Sequence, residues 1–475
     1  MIEPAHTEWR NIYILASLAL LGKLQSGFFI WSFWPYMRQL DPTVPPWVIG
    51  IALGLMGCGE AISAPILGLF SNRHNGVRNT LFVCYMLCVV ANCCYLLAKA
   101  MPLAARIPLV VISRFTLGMG TGNRGIGQSY VSSVSTLKDR RKAISLLSGG
   151  VSIGLSLGPG MQTVINQFPD ARFGFWIFEL DINNLNIVFA IAVNLICLVI
   201  LLSLLDEKEE SADESELQVF EDCGKFQIDK LAIAICIASR IDRVFISVNF
   251  KSIGFLYSEV MFGFTEKETL LVNSDLAAIS SMFVVGVYFV CAFTDFLERI
   301  GDRFIIICAL VVVYIYHLLT MPWPFLPGHL NCENLNSTAD AQLHSWCLMT
   351  HPINMYLYFV GYVVVNGLAL PFFDNYISIM FTKLLGPGKH GKMQGFNHSA
   401  GCWAKIIGPL VFTYMFDSFG PQPNWALELA FLTALLFCWV LFYNRMSPRR
   451  PELQIECGSR LQRSVLWLRN LSTSF

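Results

Sequence analysis

The chain has 475 residues, of which 55% are hydrophobic and 14% charged, and its 33 basic and 33 acidic residues give a formal net charge of zero. An average soluble domain carries about 25% charged residues, so this composition excludes an ordinary soluble protein and indicates a polytopic membrane protein. Without a basic surplus the chain is not predicted to bind nucleic acid. The fifteen cysteines have no zinc-site spacing, and no nucleophile–base set is visible, so no metal, cofactor or enzymatic activity is expected.

Apolar runs along the chain predict twelve membrane-spanning helices. Each run can cross a hydrocarbon core about 30 Å thick at 1.5 Å per residue. The first is expected to act as an uncleaved signal anchor. The runs are 11–33, 47–70, 79–100, 107–131, 143–165, 185–205, 231–261, 270–293, 303–321, 353–381, 393–416 and 424–443. They predict an all-α membrane protein with a six-helix bundle over 1–205, an acidic linker over 206–229, a second six-helix bundle over 230–445 and a tail over 446–475.

The loops that follow the second, fourth, tenth and twelfth runs are basic. They contain Arg73 and Arg78, the stretch 138–142, Lys383 and Arg445. Because basic loops are retained in the cytosol, this pattern predicts that both termini are cytosolic. The acidic linker does not change this prediction, since acids contribute little to topology.

The loop over residues 322–352 falls on the opposite, lumenal side of the membrane in this topology. It contains Cys332, Cys347 and an N-glycosylation sequon at Asn336. Disulfides and N-linked glycans both require a lumenal or extracellular location. We therefore predict a disulfide between the two cysteines and a glycan on the asparagine.

An internal repeat relates the two halves of the chain. The stretch 137–160 matches 385–410, with Lys142 and Lys392 in equivalent positions. Each copy has a basic loop, a helix rich in small residues and a Gly-Pro pair. Parallel six-helix repeats of this kind are typical of secondary transporters.

Four motifs in chain order resemble those of the major facilitator superfamily. They are "GLFSNRHNGVR" at 68–78, the pattern Arg114-x-x-x-Gly118-x-Gly120, the glycine-rich run 149–160 and "TDFLERIGDR" at 294–303. The resemblance implies two pseudo-symmetric six-helix bundles around a central cavity. It also implies gating loops, whose residues here are Gly68, Asn72, Arg73, Arg78, Asp295, Arg299 and Arg303. The chain departs from the family because Asn72 stands where an acid is usual and one residue is inserted before Gly76.

Several longer stretches resemble the lysosomal major-facilitator proteins of the neuronal ceroid lipofuscinosis group. They are "WPYMRQLDPT" (34–43), "APILGLFSN" (64–72), "GMGTGN" (118–123), "SWC" (345–347), "KLLGP" (383–387) and "SAGCWAKIIGP" (399–409). The resemblance implies an endolysosomal location and an anion-transport or conductance role, with chloride favoured. That group has an arginine where this chain has Gln128. Either Arg124, one turn earlier, supplies the displaced cation, or the site is lost.

Charged residues inside the predicted spans are candidate functional groups, because burying a charge in the membrane costs several kcal/mol. The candidate ion pathway comprises Arg124 with Asn123 and Gln128, together with Arg114, Arg240, Arg243 and Lys251. Glu60, Asp374 and Lys405 are candidate proton sites or charge partners, and Glu60 and Asp374 are expected to neutralise the arginines. Lys23 and Asp275 are expected near span ends. Basic residues outnumber acidic ones in this set, which predicts an anionic permeant.

Three functions therefore remain open from the sequence. The first is transport or conductance of a small inorganic anion. The second is proton-coupled transport of an organic anion, with Glu60 or Asp374 as the proton site. The third is a non-transporting membrane scaffold or receptor, which Asn72 favours because the motif acid is absent. The predicted partners are the anion and the lipid bilayer, and the oligomeric state is left open.

Overall fold

Helices make up almost all of the residues that the structure describes. The computed structural model describes residues 6–44, 47–72, 76–136, 138–166, 173–175, 178–180, 182–205, 229–294, 296–328, 330, 346, 349–386 and 390–447. The predictions for Arg73, Asp295, Cys332, Asn336, Cys347, most of the acidic linker and most of the tail lie outside these residues.

The first bundle contains seven helices in the part of the chain just defined. They are α1 (Trp9–Leu40), α2 (Trp47–Phe70), α3 (Gly76–Leu97), α4 (Leu103–Thr121), α5 (Arg124–Val134), α6 (Arg140–Asn166) and α7 (Ile182–Leu204). A short antiparallel hairpin, β1 (Phe173–Phe175) and β2 (Phe178–Leu180), lies between α6 and α7 and pairs Gly174 with Glu179.

The second bundle also contains seven helices among the described residues. They are α8 (Lys230–Phe262), α9 (Glu266–Phe293), α10 (Asp302–Thr320), α11 (Met355–Val364), α12 (Leu370–Leu385), α13 (Gly391–Phe419) and α14 (Pro421–Leu441). A π-helical turn over Val365–Ala369 joins α11 to α12. Twelve spans result when α4 is counted with α5 and α11 with α12.

The fourth and tenth predicted spans are not continuous α-helices, which corrects their prediction as single runs. Gly122 and Asn123 interrupt the fourth span, and the π-helical turn interrupts the tenth. Among the residues that the structure describes, eight of the spans are long and apolar enough to cross a membrane by length and composition. The helices α1, α6, α8 and α13 carry charged residues or runs of glycine and serine within them.

The two bundles exchange equivalent contacts across their interface: α6 packs on α9, and α13 packs on α2. At one end of the molecule the backbones of α2 and α13 nearly touch. A Cβ on Gly68 would lie 2.3 Å from the Gly391 carbonyl oxygen, and one on Gly395 would lie 2.4 Å from that of Ala64. Small residues allow helices to approach this closely in a membrane. We call this end the basic-loop end; it contains residues 70–72, 76, 134–136, 138–140, 385, 386, 390 and 391.

The start of α8 is fixed at the basic-loop end by Asp229. Its carboxylate accepts hydrogen bonds from the backbone N–H groups of Leu231 and Ala232, and Arg445 pairs with it at 3.1 Å. Partial burial raises the pKa of Asp229, but the bonds from Ala232 and Arg445 outweigh that effect, so its pKa lies below the ordinary value. The cap fixes Lys230 as the first residue of α8. The depth of each α8 side chain in the membrane follows from its distance along the helix from this residue.

Candidate functional site

Three arginines converge on Asp374. The carboxylate, which is 2% exposed, pairs with Arg124 Nη2 at 2.7 Å, hydrogen bonds to Arg240 Nη1 and lies 3.4 Å from Arg243 Nε. Arg124 belongs to the first bundle, whereas the other members belong to the second. We call these four residues the arginine cluster. Its formal charge is +2, and one of its ion pairs joins the two bundles.

Local breaks in the helices place the members of this cluster. Because α4 ends at Thr121 and α5 begins at Arg124, this arginine stands at the N-terminus of a helix, whose dipole adds positive potential. The close packing of the break against α2 favours glycine at 122, since a Cβ there would lie 2.4 Å from Ser63 Oγ and 3.2 Å from the Ala64 backbone nitrogen. On α8, Arg240 and Arg243 share a face, as their i, i+3 spacing predicts.

A second group of charged residues joins α2 to α13. Glu60 is 5% exposed; its Oε2 pairs with Lys405 Nζ at 2.8 Å, and its Oε1 contacts His398 Nε2 at 2.9 Å. Ser399 Oγ donates to the Ala61 carbonyl at 2.6 Å beside them. We call Glu60, His398 and Lys405 the Glu60 cluster. Glu60 thus pairs with a lysine and a histidine rather than with the arginines, which corrects one of its expected roles.

Cys402 adds a possible metal-ligand set that the sequence spacing does not reveal. One ligand atom from each of Glu60, His398 and Cys402 lies within 4.8 Å of the others. These donors are of the types that bind zinc. However, Lys405 already occupies one oxygen of Glu60, and the charge of Lys23 also acts on that carboxylate. The cationic surroundings therefore disfavour a divalent metal ion.

A third set of ion pairs lies at the basic-loop end. Asp302, the first residue of α10, pairs with Arg141 Nη2 of α6 at 2.5 Å and with Lys383 Nζ of α12. We call these three residues the Asp302 cluster, and it also joins the bundles. Sequence patterns do not single out Asp302, because an acid at the start of a helix is ordinary complementation of the helix dipole.

The predicted gating residues that the structure describes have separate contacts. Asn72 Oδ1 accepts the backbone N–H of Gly391 at 3.2 Å, so it contacts the opposite bundle although the motif acid is absent. Arg78 donates to the Leu202 carbonyl, and Arg303 Nη1 donates to the Tyr443 carbonyl at 2.9 Å. Both arginines therefore anchor neighbouring helices within their own bundle. Arg299 is exposed.

Lys23 contributes to a cavity inside the first bundle and does not lie near a span end, which corrects its expected position. The cavity has a volume of about 50 Å³ and is lined by residues of α1, α3, α4, α5 and α6, including Lys23, Asn123 and Arg124. Gly127 also lines it, whereas Gln128 is buried elsewhere on α5 and is not part of the described lining. The structure therefore brings Asn123 and Arg124 together at a cavity and leaves Gln128 outside it.

The remaining candidate cations have different surroundings. Arg114 is 4% exposed, and its guanidinium lies 4.4 Å from the ring centre of Phe33 and 4.3 Å from that of Tyr95. This cation–π arrangement packs α4 against α1 and α3. Its expected acidic partner stays a prediction. Lys251 is exposed on α8, where the charges of Arg243 and Lys405 both act on it.

The family model of the Major Facilitator Superfamily matches residues 16–331 of the chain. The chain belongs to the major facilitator superfamily. It is therefore a multi-pass membrane protein of a transporter family, and the predicted fold class and family are confirmed. The orientation of its termini stays a prediction.

Relatives and solved structures agree with this assignment. The chain is 21% identical over 488 residues to "Major facilitator superfamily domain-containing protein 8" of Xenopus laevis, covering 93% of this chain and 92% of that protein. The human organic anion transporter MFSD10 (TETRAN) has a TM-score of 0.64 at 14% identity, covering 91% of this chain and 99% of that one. The proton:xylose symporter XylE has a TM-score of 0.68 at 14% identity, covering 94% and 98%. These likenesses to solved structures show the shared fold.

Proposed function

We propose that this major-facilitator protein transports or conducts a small inorganic anion, with chloride favoured, across an endolysosomal membrane. The observation that carries the proposal is the arginine cluster, in which three guanidinium groups share one carboxylate at the contact between the bundles. A buried cationic site of this kind requires further negative charge. An anion in the pathway supplies it.

The depth of the charged groups supports a pathway. At 1.5 Å per residue, Arg124, Arg240 and Asp374 each lie about 15 Å from the basic-loop end of their helices, which is half of a 30 Å core. Lys405 lies about 20 Å and Lys251 about 30 Å from the same end. Cations thus extend from the opposite end of the molecule to the middle of the membrane. Such a series attracts anions towards the arginines.

Competition with Asp374 provides a way to couple anion binding to movement. The pair between Arg124 and Asp374 holds the bundles together near the middle of the membrane. An anion that binds the guanidinium groups replaces the carboxylate and loosens this pair. The Asp302 cluster then holds the basic-loop end closed, and the Glu60 cluster holds α2 against α13 near the middle of the membrane, until the bundles rock.

The size of the cavity favours an inorganic anion. A buried water requires a cavity of roughly 10–15 Å³. The cavity of about 50 Å³ therefore accommodates a small ion with one or two waters. Sites for drug-sized ligands have volumes of roughly 300–1,000 Å³. The endolysosomal part of the proposal is supported by the quoted resemblance and by the Xenopus laevis relative. Colocalisation of the tagged chain with a lysosomal membrane marker tests it.

Transport of an organic anion is the second candidate function. The observation in its favour is the fold shared with a human protein described as an organic anion transporter. An organic anion requires a larger site than the cavity beside Arg124. That larger site must form as the bundles separate. This candidate function also predicts saturable uptake in place of an ohmic current.

Patch-clamp recording from enlarged endolysosomes that express the chain tests the proposal, with chloride as the only permeant anion. We expect a chloride current that is lost in Arg124→Ala and retained in Arg10→Ala, a matched change of an exposed arginine in α1. No current from the wild-type chain, with normal expression and location, would refute conduction. Uptake of radiolabelled chloride and of organic anions into proteoliposomes then separates the two candidate substrates.

A further inference from the structure

The second bundle contains a buried acid–base group that is separate from the arginine cluster. His317 on α10 and Glu428 on α14 are both 0% exposed, and His317 Nε2 lies 2.5 Å from Glu428 Oε2. The other ring nitrogen, Nδ1, lies 2.8 Å from the Val313 carbonyl oxygen. The helix α8 packs against α14, and the charges of Glu428 and His317 both act on Asp242 of α8.

The contacts of His317 define the protonation of the pair. A backbone carbonyl can only accept a hydrogen bond, so Nδ1 must carry a hydrogen. The contact at 2.5 Å between Nε2 and Oε2 then requires one further hydrogen, on either the histidine or the glutamate. In both cases the pair holds one shared proton and is neutral as a unit. It therefore supplies no net positive charge to Asp242.

Asp242 is left as a buried carboxyl group that needs a counter-charge. It is 7% exposed, and its Oδ2 is buried without a hydrogen-bond partner among the described residues. Within the same described set, Glu428 Oε1 and both amide atoms of Asn249 also have none. An ionised carboxylate in such a position costs several kcal/mol, so the group must bind a cation. A proton is the smallest cation that satisfies it.

No described basic side chain is in a position to take that role. On α8 itself, Arg240 and Arg243 point towards Asp374. On α13, His398 and Lys405 point towards Glu60 of the other bundle. The titratable groups whose charges act on Asp242 are His317 of α10 and Glu428 of α14. The charge of Glu428 also acts on Tyr316 of α10, and Tyr358 of α11 lies beside that phenol.

We propose that Asp242 is a proton-binding site inside the second bundle, outside the anion path, and that α8 couples it to the arginine cluster. A proton from water forms an O–H bond on the carboxyl group and returns to water when the site opens. Asp242 lies between Arg240 and Arg243 in the sequence, so a rotation of α8 that exposes the acid also displaces both arginines from Asp374. By contrast, Glu60 and Asp374 already have basic partners, which a proton there would have to displace.

This inference rests on the proposed anion function and names the ion coupled to it.

The full chain is reconstituted in liposomes, and chloride uptake and internal pH are recorded together under imposed pH or sodium gradients. We expect chloride uptake driven by a pH gradient, with proton movement in the wild-type chain and in Asp275→Asn, a matched change of an exposed acid on α9. In Asp242→Asn we expect proton movement to fall to the level of empty liposomes while chloride still crosses. Asp242→Glu should restore proton movement.

The outcomes separate the two proposals. Absence of chloride flux in every variant refutes the proposed function. Chloride flux with equal proton movement in Asp242→Asn and wild type overturns the inference, as does flux that follows the sodium gradient. Infrared difference spectra at high and low pH give a readout independent of transport: a protonated carboxyl band should be present in the wild type and in Asp275→Asn. Because Glu428 and other acids can also carry a proton, the intensity of the band is compared, and an intensity in Asp242→Asn equal to that of the wild type would also overturn the inference.

Discussion

Replacing Asp374 by asparagine removes the shared carboxylate and leaves its shape nearly unchanged. The carboxylate is 2% exposed and has three cationic partners, so the formal charge of the arginine cluster rises from +2 to +3. Removing one partner of a buried ion pair costs about 3–5 kcal/mol. This corresponds to roughly two to three and a half powers of ten in the folded-to-unfolded ratio, since about 1.4 kcal/mol is tenfold. If a bundle of roughly 200 residues unfolds as a unit, the midpoint of thermal unfolding falls by roughly 6–20 °C.

Chloride should reverse part of this loss if the arginines bind anions. A ligand at 100 times its dissociation constant stabilises the folded state by about 2.7 kcal/mol. We therefore expect chloride to raise the unfolding midpoint of purified Asp374→Asn by more than that of the wild type, whose own carboxylate competes. The assay is thermal unfolding in detergent, in chloride and in gluconate, a large organic anion. Asp275→Asn, an exposed acid on α9, is the matched control.

Two results would refute this reasoning. The first is a stability of Asp374→Asn in gluconate equal to that of the wild type, because the three buried guanidinium groups would then not depend on the carboxylate. The second is an equal increase of the midpoint with chloride in all three proteins. That result would show that chloride acts on the protein in general and not at the vacated cluster.

Three further predictions concern closure and packing. Gly118→Ala should destabilise the fold by about 1–3 kcal/mol in thermal unfolding, because a Cβ there would lie 2.0 Å from a backbone oxygen of α2. Gly254→Ala is the control: a Cβ there would have no atom within 4 Å, so this variant should be neutral or stabilising. Asp302→Asn should weaken closure at the basic-loop end, seen as faster hydrogen exchange over residues 391–398. Asp229→Ala should lose about 1 kcal/mol of cap stabilisation. Because the pKa of Asp229 is depressed in the fold, its contribution is complete above the ordinary pKa and is lost as the pH falls through the folded value, which a pH series of unfolding midpoints measures.

The membrane spans could be predicted closely from the sequence because the bilayer imposes a minimum apolar length. The predicted seventh span, 231–261, differs from α8 (Lys230–Phe262) by one residue at each end. The interruptions of the fourth and tenth spans could not be predicted in the same way. They lie within otherwise apolar stretches, where neighbouring helices satisfy the freed backbone groups and hydropathy gives no signal.

The candidate site was only partly accessible from the sequence. Helical spacing alone places Arg240 and Arg243 on one face. In contrast, Arg124 and Asp374 are 250 residues apart, so their ion pair depends on how the two bundles dock. The same applies to Glu60, whose partner Lys405 is 345 residues away. Counting the charged residues predicted a surplus of cations. It could not predict which basic residues pair with Glu60 and which pair with Asp374.

The π-helical turn before Asp374 sets the direction in which its carboxylate points. A π turn contains one more residue than the α turn it replaces, and each residue in an α-helix advances the next by about 100° around the axis. If all five residues of Val365–Ala369 formed a regular α-helix, Asp374 would rotate away from the arginines by about that angle. The protein would then have the same ionisable residues but a different distribution of charge. A substitution that removes the π turn can therefore change ion selectivity without changing any charged residue of the site.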